Sequence, residues 1–115
     1  MSADCLFCGI AARRIPASLV HDDDTVVAFR DIAPRAPTHL LLIPRRHIAS
    51  ALELTGSDGP LLGQLFAVAA DLARSEGVAD GGYRLVTNVG SWGYWSGHHR
   101  DLHLLGGRPL TWPPG

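Results

Sequence analysis

The 115-residue chain lacks a long hydrophobic run, an excess of charge of either sign and any internal repeat. A membrane-spanning helix needs roughly 18 or more consecutive apolar residues, and no stretch approaches that length. The residues after Met1 do not resemble a signal peptide, so we expect a cytoplasmic protein. Ten basic and eleven acidic residues give a net charge of −1, which predicts neither a nucleic-acid nor a membrane partner. With 46% hydrophobic residues, residues 1–115 are expected to form one domain with one core.

The positions of apolar, glycine and proline residues predict short strands around one long helix. Apolar residues recur at helical spacing over residues 60–75, and Ser57 or Asp58 can cap the first turn. A shorter helix is expected over residues 6–14, because the residue before Pro16 disfavours helical backbone. The strands are expected at residues 18–21, 25–29, 39–43, 83–87 and 101–105. This order predicts an α+β domain with a helix packed on one face of an antiparallel sheet.

Three polar residues alternate around the start of the last predicted strand. On a strand, His99, Asp101 and His103 would point to one face, about 6.5 Å apart. Such a row is typical of a site that moves protons or binds a metal. Asp101 and His103 could be an acid–base pair, or Asp101 could orient a histidine. The alternative is that Asp101 pairs with Arg100 or Arg108 at the surface.

Three other histidines have less informative surroundings. His39 begins an apolar strand and could equally be a hydrogen-bonded histidine of the core. His21 adjoins an acidic turn, where we expect it to be solvated. His98 would point away from His99 on a regular strand, so we expect it outside the same cluster.

Cys5 and Cys8 form a CxxC pair close to the start of the chain. In the cytosol this spacing suggests redox chemistry or half of a metal site, and two unconnected thiols are the alternative. Redox chemistry would require a preceding strand, which this position does not offer. A zinc site needs two more ligands, for which His47 and His99 are candidates. Such a site would be closed and structural, contributing on the order of 10 kcal/mol to folding.

Three aromatic residues, Trp92, Tyr94 and Trp95, lie in a segment rich in glycine and serine. Such a group of large apolar side chains is not expected to be entirely exposed. The side chains could belong to the core or an interface, or they could form the wall of a pocket.

Several short motifs, taken together and in order, resemble the histidine triad (HIT) family in its nucleotide-binding, HINT-like branch. The matching segments are residues 7–16, 28–34, 36–39, 43–48, 82–84, 88–90, 105–108 and 112–115. The resemblance implies an α+β HIT fold with an antiparallel sheet of about five strands, one long helix and a short N-terminal helix. It also implies a homodimer in which the sheet continues across the two subunits.

The resemblance further implies a purine nucleoside pocket, a phosphate site and structural zinc. Asp31 would contact the ribose, and Trp112 would reach the active site of the neighbouring subunit. The nucleoside pocket that the resemblance implies lies near Phe7, Ile10, Phe29, Asp31 and Ile32. We expect the full set of substrate-binding residues to be these five together with Asn88, Tyr94, Trp95, Ser96 and Trp112. The implied zinc ligands are Cys5, Cys8, His47 and His99.

The chain departs from the family pattern where its chemistry takes place. The signature is His-x-His-x-His, and its middle histidine attacks phosphorus, but Asp101 stands at that position. The loop before it has Tyr94-Trp95-Ser96, whereas the family has Gly-Gln-Ser or Gly-Gln-Thr. A carboxylate about 4 Å from a phosphate costs on the order of 4 kcal/mol at an effective dielectric of about 20. That energy is roughly a thousandfold in rate, so we expect nucleotidyl hydrolysis to be lost or very weak.

Two functions from different classes are compatible with these departures. In the first, the chain is a repurposed enzyme with Asp101, His103 and His39 as catalytic residues. Its substrate would be a small molecule without a phosphoramidate bond, and the aromatic loop would suit an aromatic or apolar compound. In the second, the chain binds a purine nucleotide without turning it over. A weak residual nucleoside phosphoramidate hydrolase is a further alternative.

Overall fold

The computed structural model describes residues 6–48, 50–93 and 101–115. After a short N-terminal helix, three strands precede one long helix and two strands follow it. This order confirms the predicted α+β class. The helices and strands are α1 (Leu6–Ala11), β1 (Leu19–Asp22), β2 (Val26–Arg30), β3 (Thr38–Pro44), α2 (Gly59–Ser75), β4 (Tyr83–Val86) and β5 (Leu102–Gly106). Short 3-10 turns lie at Ala51–Glu53, Gly56–Asp58 and Ser91–Gly93. Among the described residues, no helix is long and apolar enough to span a bilayer.

The five strands form one antiparallel sheet in the order β1-β2-β3-β5-β4. All residues of β3 are buried, as expected for a central strand covered on both faces. On one face, Leu40 of β3 and Leu104 of β5 pack against Leu65 of α2, and all three side chains are fully buried. Helix α2 thus covers one face of the sheet and leaves the other for α1 and the candidate site.

Helix α2 begins at Gly59, one residue before the predicted start, and Pro60 lies in its first turn. Asp58 occupies the N-cap position, but its side chain makes no hydrogen bond to the helix. It accepts hydrogen bonds from the backbone N–H of Thr55 at 3.0 Å and from Arg46 at 2.6 Å. Asp58, one of the two residues predicted to cap α2, therefore stands at the N-cap, but its side chain caps the preceding 3-10 turn and pairs with an arginine.

Side chains of β2 and β3 that point away from α2 form a second apolar cluster on the opposite face of the sheet. Phe29 and Leu41 lie in this cluster together with Ile10 of α1. The ring of Phe7 meets that of Phe29 edge to face, with 5.6 Å between the centroids. These contacts attach α1 to the sheet face that also carries the polar residues of β3 and β5.

Candidate active site

His39 and His103 are brought together by the antiparallel pairing of β3 and β5. In this register Leu41 lies opposite His103, and His39 lies opposite Leu105, so the two histidines are diagonal neighbours on one face. Nε2 of His39 is 2.9 Å from Nδ1 of His103. The side chain of His39 is buried. His39 is therefore a hydrogen-bonded histidine of the core, which was one of the two roles considered from the sequence.

The backbone of Arg35 fixes the direction of the hydrogen bond between the histidines. The N–H of Arg35 donates to Nδ1 of His39 at 3.0 Å, so Nδ1 must carry the lone pair. In the neutral ring, Nε2 of His39 then carries the proton and donates to Nδ1 of His103. The same Nε2 lies 3.4 Å from Oδ2 of Asp31. His103 consequently has its own proton on Nε2.

Asp101 lies next to His103 and extends the row of contacts from Arg35 through His39 and His103. Its Oδ2 lies 3.4 Å from Nε2 of His103, and the residue is only 7% exposed. Oδ1 is buried and has no hydrogen-bond partner within the described part of the chain. The backbone carbonyl of Asp101 accepts a hydrogen bond from the hydroxyl of Thr87 at 2.9 Å. The backbone of Asp101 is therefore held by Thr87 and its Oδ2 lies close to His103, while Oδ1 has no partner among the described residues.

The last strand was predicted to begin at Asp101 but begins at Leu102, so Asp101 directly precedes β5. The 3.4 Å contact brings Asp101 and His103 together, as the predicted alternation requires. His99 lies outside the described residues. The alternative of a surface ion pair between Asp101 and Arg108 does not occur. Arg108 donates instead to the carbonyl oxygens of Arg35 and Pro109, at 2.8 and 3.1 Å. Arg100 lies outside the described residues.

His39 is held in its neutral form by its surroundings. Burial is the main cause that lowers its pKa from the ordinary value of 6.5. The carboxylate of Asp31 opposes this effect, while the neighbouring His103 and the guanidinium of Arg35 lower the pKa of His39 further. A neutral His39 agrees with the single proton that the hydrogen bond from Arg35 assigns to its ring.

A cavity of about 290 Å³ lies over the histidines, between the strands and the loop that follows β2. It is lined by Asp31, Ala33, Arg35, His39, Val86, Asn88, His103 and Leu105. Four of these residues were predicted from the sequence as site residues. The other four, Ala33, Arg35, Val86 and Leu105, were missed, although strand pairing places Val86 opposite His103 and alternation places Leu105 two residues beyond His103.

The other residues predicted to bind a substrate are dispersed. Ile10 and Phe29 are buried in the apolar cluster, and Phe7 packs against Phe29. Ile32 is fully exposed and Trp112 is 81% exposed. Tyr94, Trp95 and Ser96 lie outside the described residues. Substrate binding by all of these residues stays a prediction.

Two of the four predicted zinc ligands lie in contact. Sγ of Cys8, on α1, is 2.9 Å from Nδ1 of His47, which follows β3. A thiolate and an imidazole are the donors that structural zinc prefers, and the residues present therefore fit the metal. Cys5 and His99, the other predicted ligands, lie outside the described residues, as does His98.

A second group of ligand atoms, from Asp31, His39 and His103, lies within 4.8 Å. This spacing would suit a metal ion, but the hydrogen bonding does not. Nε2 of His39 faces the group and carries the proton, because Nδ1 accepts the N–H of Arg35. A protonated nitrogen cannot coordinate a metal, so this group fits a hydrogen-bond relay better than a metal centre.

His21 lies away from the site. The sequence predicted that it would be solvated, but its ring pairs with a carboxylate and is partly buried. Its Nε2 is 2.6 Å from Oδ2 of Asp23, and its side chain is 31% exposed. The hydrogen bond from His21, together with backbone N–H groups of Thr25 and Val26, lowers the pKa of Asp23 to about 2. The acidic turn thus supplies a partner that the sequence pattern did not specify.

Comparisons with known proteins agree on one class. The family model described as scavenger mRNA decapping enzyme C-term binding matches residues 4–107. The purine nucleoside phosphoramidase of Escherichia coli K12 is 44% identical over 110 residues, which is 96% of this chain and 92% of that protein. An uncharacterised HIT-like protein of Synechococcus elongatus is 48% identical over 115 residues, the full length of both chains.

Solved structures give the same result. A HIT family hydrolase from Legionella pneumophila superposes with a TM-score of 0.96 and 52% identity, covering 97% of this chain and 100% of that one. A zinc-bound histidine triad protein from Mycobacterium smegmatis superposes with a TM-score of 0.78, covering 94% of this chain and 78% of that one. At 24% identity this second likeness concerns the fold alone.

The fold and the paired histidines thus define a histidine triad type of protein. The chain belongs to the HIT family, and within it resembles the hydrolases.

Proposed function

We propose that this HIT protein is a hydrolase in which Asp101, and no histidine, is the reactive group. Asp101 acts as a general base: Oδ1 accepts a proton from the water molecule that attacks the substrate. His103 holds the other carboxylate oxygen, and His39 holds His103. The substrate is a small molecule without a phosphoramidate bond, aromatic or apolar in character, in the cavity beside His103.

The observation that carries this proposal is the unequal environment of the two oxygens of Asp101. Oδ2 lies at ion-pair distance from His103, whereas Oδ1 is unpaired and buried. A carboxylate with one oxygen in contact with a histidine and the other without a partner among the described residues resembles an oriented general base. Because Oδ1 is buried, the proposal requires that substrate binding uncover it. The cavity volume of about 290 Å³ favours a small substrate.

The hydrogen bonding of the histidines supports the exclusion of a covalent nucleotidyl-histidine. Nδ1 of His39 and Nδ1 of His103 both accept hydrogen bonds, and both Nε2 atoms carry protons. Neither ring therefore presents a lone pair to the cavity. A histidine could attack phosphorus only after this arrangement was broken.

Zinc is part of the proposal as a structural metal. Cys8 and His47 would hold it together with Cys5 and His99, as the family resemblance implies, and their 2.9 Å contact supports a shared position. When bound, zinc would stabilise the fold and leave no open coordination position for chemistry. We also expect a homodimer, for which the 81% exposed Trp112 is a candidate contact.

A second candidate is a protein that binds purine nucleotides without turnover. The Nδ1 atoms of His39 and His103 both accept hydrogen bonds within the protein. This favours the binding candidate, because a binding site needs no reactive lone pair on a histidine. Asp31 lines the cavity and would accept hydrogen bonds from the ribose hydroxyls.

One set of measurements separates the two candidates. The purified protein is incubated with adenosine 5′-phosphoramidate, p-nitrophenyl acetate and p-nitrophenyl phosphate, and AMP and GMP binding is measured by calorimetry. Turnover of an ester that Asp101→Asn abolishes, with phosphoramidate left intact, supports the hydrolase. Affinity for AMP or GMP without any turnover supports the binding protein. Phosphoramidate turnover at the rate of the related phosphoramidases would contradict both.

A further inference from the structure

The turn that follows β5 contacts the loop that carries Arg35. Nη2 of Arg108 donates to the carbonyl oxygen of Arg35 at 2.8 Å. Gly107 has φ of +91°, and a Cβ at this position would lie 2.9 Å from Cβ of Pro37, so the turn and the loop are in close contact. We infer that the turn of residues 106–108 sets the tautomer of His39, with Arg108 as the positioning residue.

Arg35 transmits the position of Arg108 to the ring of His39. Its carbonyl accepts from Arg108, and its N–H donates to His39. In the described part of the chain, these are the hydrogen bonds that hold the backbone of residue 35. The start of the same loop is held separately, since the N–H of Ala33 donates to Asp31 at 2.8 Å. Loss of the Arg108 contact would therefore release the carbonyl of residue 35 and allow its N–H to move away from Nδ1 of His39.

A change of tautomer at His39 would change which nitrogen of His103 carries the proton and how His103 faces Asp101. Without a donor at Nδ1, the proton of His39 could move to Nδ1, and Nε2 would become an acceptor. His103 would then have to donate from Nδ1, which leaves its Nε2 with a lone pair. That lone pair would face Oδ2 of Asp101, and two acceptors would repel each other. Arg108 thus acts on the Asp101 carboxylate through Arg35, His39 and His103.

The tautomer itself can be measured without a substrate. In the full-length protein labelled with ¹⁵N-histidine, long-range ¹H–¹⁵N spectra distinguish a protonated from an unprotonated ring nitrogen, and His39→Gln assigns the signals. We expect Nδ1 of His39 to be unprotonated in the wild type. In Arg108→Met its resonance should shift toward the protonated position, whereas Arg108→Lys, which can still donate to the Arg35 carbonyl, should restore most of the wild-type shift. Arg14→Met, at another exposed arginine, is the matched control and should change nothing.

Gly107→Ala provides a second test, because the added methyl would displace the loop at Pro37 and should shift the same resonance. The inference is overturned if wild-type His39 is protonated on Nδ1. It is also overturned if Arg108→Met and Gly107→Ala both keep the wild-type resonance. Only the consequence for activity rests on the proposed function. A tautomer shift in a protein that hydrolyses no ester would uphold the positioning role and reject the hydrolase.

Discussion

Oδ2 of Asp101, the residue directly before β5, lies 3.4 Å from Nε2 of His103 within that strand. The family resemblance assigns the position of Asp101 to the attacking histidine, so a negative charge lies where a neutral ring is expected. Nε2 of His103 faces this carboxylate, and Nε2 of His39 donates a hydrogen bond to Nδ1 of His103. The relay therefore ends on an acid, and the effects of that acid can be tested by substitution.

Replacement of Asp101 by Asn is expected to abolish ester hydrolysis and to leave the fold intact. Asn keeps the size of the side chain and one acceptor for His103, but its amide cannot accept a proton from water. Loss of a general base lowers the rate by roughly 100- to 10,000-fold. The measurement is kcat for the best ester of the panel, with thermal unfolding monitored by circular dichroism.

Asp31→Asn is the matched control, because Asp31 lines the same cavity and lies near the same relay. We expect it to raise KM and to retain most of kcat. Equal losses of kcat in the two variants would contradict the assignment of Asp101 as the base.

Replacement of Asp101 by His is expected to increase turnover of adenosine 5′-phosphoramidate. The substitution removes a carboxylate that repels the phosphate by on the order of 4 kcal/mol, so the variant should exceed the wild type by up to about a thousandfold. The measurement is ammonia release under substrate saturation. Such a gain would show that the charge at position 101 suppresses phosphoramidate turnover in the wild type.

Asp101→Ala provides the control for this gain of function. It removes the same charge without adding an imidazole, so it should improve AMP affinity but not turnover. If wild type and Asp101→His cleave the phosphoramidate equally well, the charge at position 101 does not limit the reaction.

Local patterns in the sequence were sufficient for most of the fold. The two-residue period placed Asp101 and His103 on one face, and apolar spacing located α2 within one residue at its start. The sequence left the cap of α2 open between Ser57 and Asp58, and Asp58 occupies that position. Its side chain bonds to Thr55 and Arg46 instead of the helix, through contacts that no helical period encodes.

Which of the two histidines donates the hydrogen bond to the other could not be predicted for a similar reason. It depends on the N–H of Arg35, which reaches His39 only because the loop after β2 folds back over β3. The Arg108 contact to that loop joins residues 73 positions apart in the chain. Tertiary contacts of this kind leave no periodic signal in a single sequence, whereas strand alternation does.

Removal of a zinc ligand is expected to destabilise the protein and release the metal. Cys8→Ser should lower the zinc content from about one ion per chain, measured by plasma mass spectrometry. The free energy of unfolding should fall by several kcal/mol, because structural zinc contributes on the order of 10 kcal/mol to folding.

His21→Gln is the control for metal binding, since His21 pairs with Asp23 and is not a predicted ligand. This variant should retain its zinc. Absence of zinc from the wild type, purified without chelators, would rule out the assignment of Cys8 and His47 as ligands.

His39 should make the stability of the protein depend on pH on the acidic side of neutrality. Burial lowers its pKa below 6.5, so between these values the unfolded chain binds a proton that the folded chain does not. The stability that this difference contributes is complete above about pH 6.5 and decreases as the pH falls toward the folded pKa. Arg35→Gln removes a positive charge that also lowers the pKa of His39, and should therefore raise that pKa and weaken the pH dependence. The measurements are an NMR titration of the His39 ring and denaturant unfolding between pH 5 and 8, with Arg14→Gln as the control; a wild-type His39 that titrates at or above 6.5 would contradict the assigned environment.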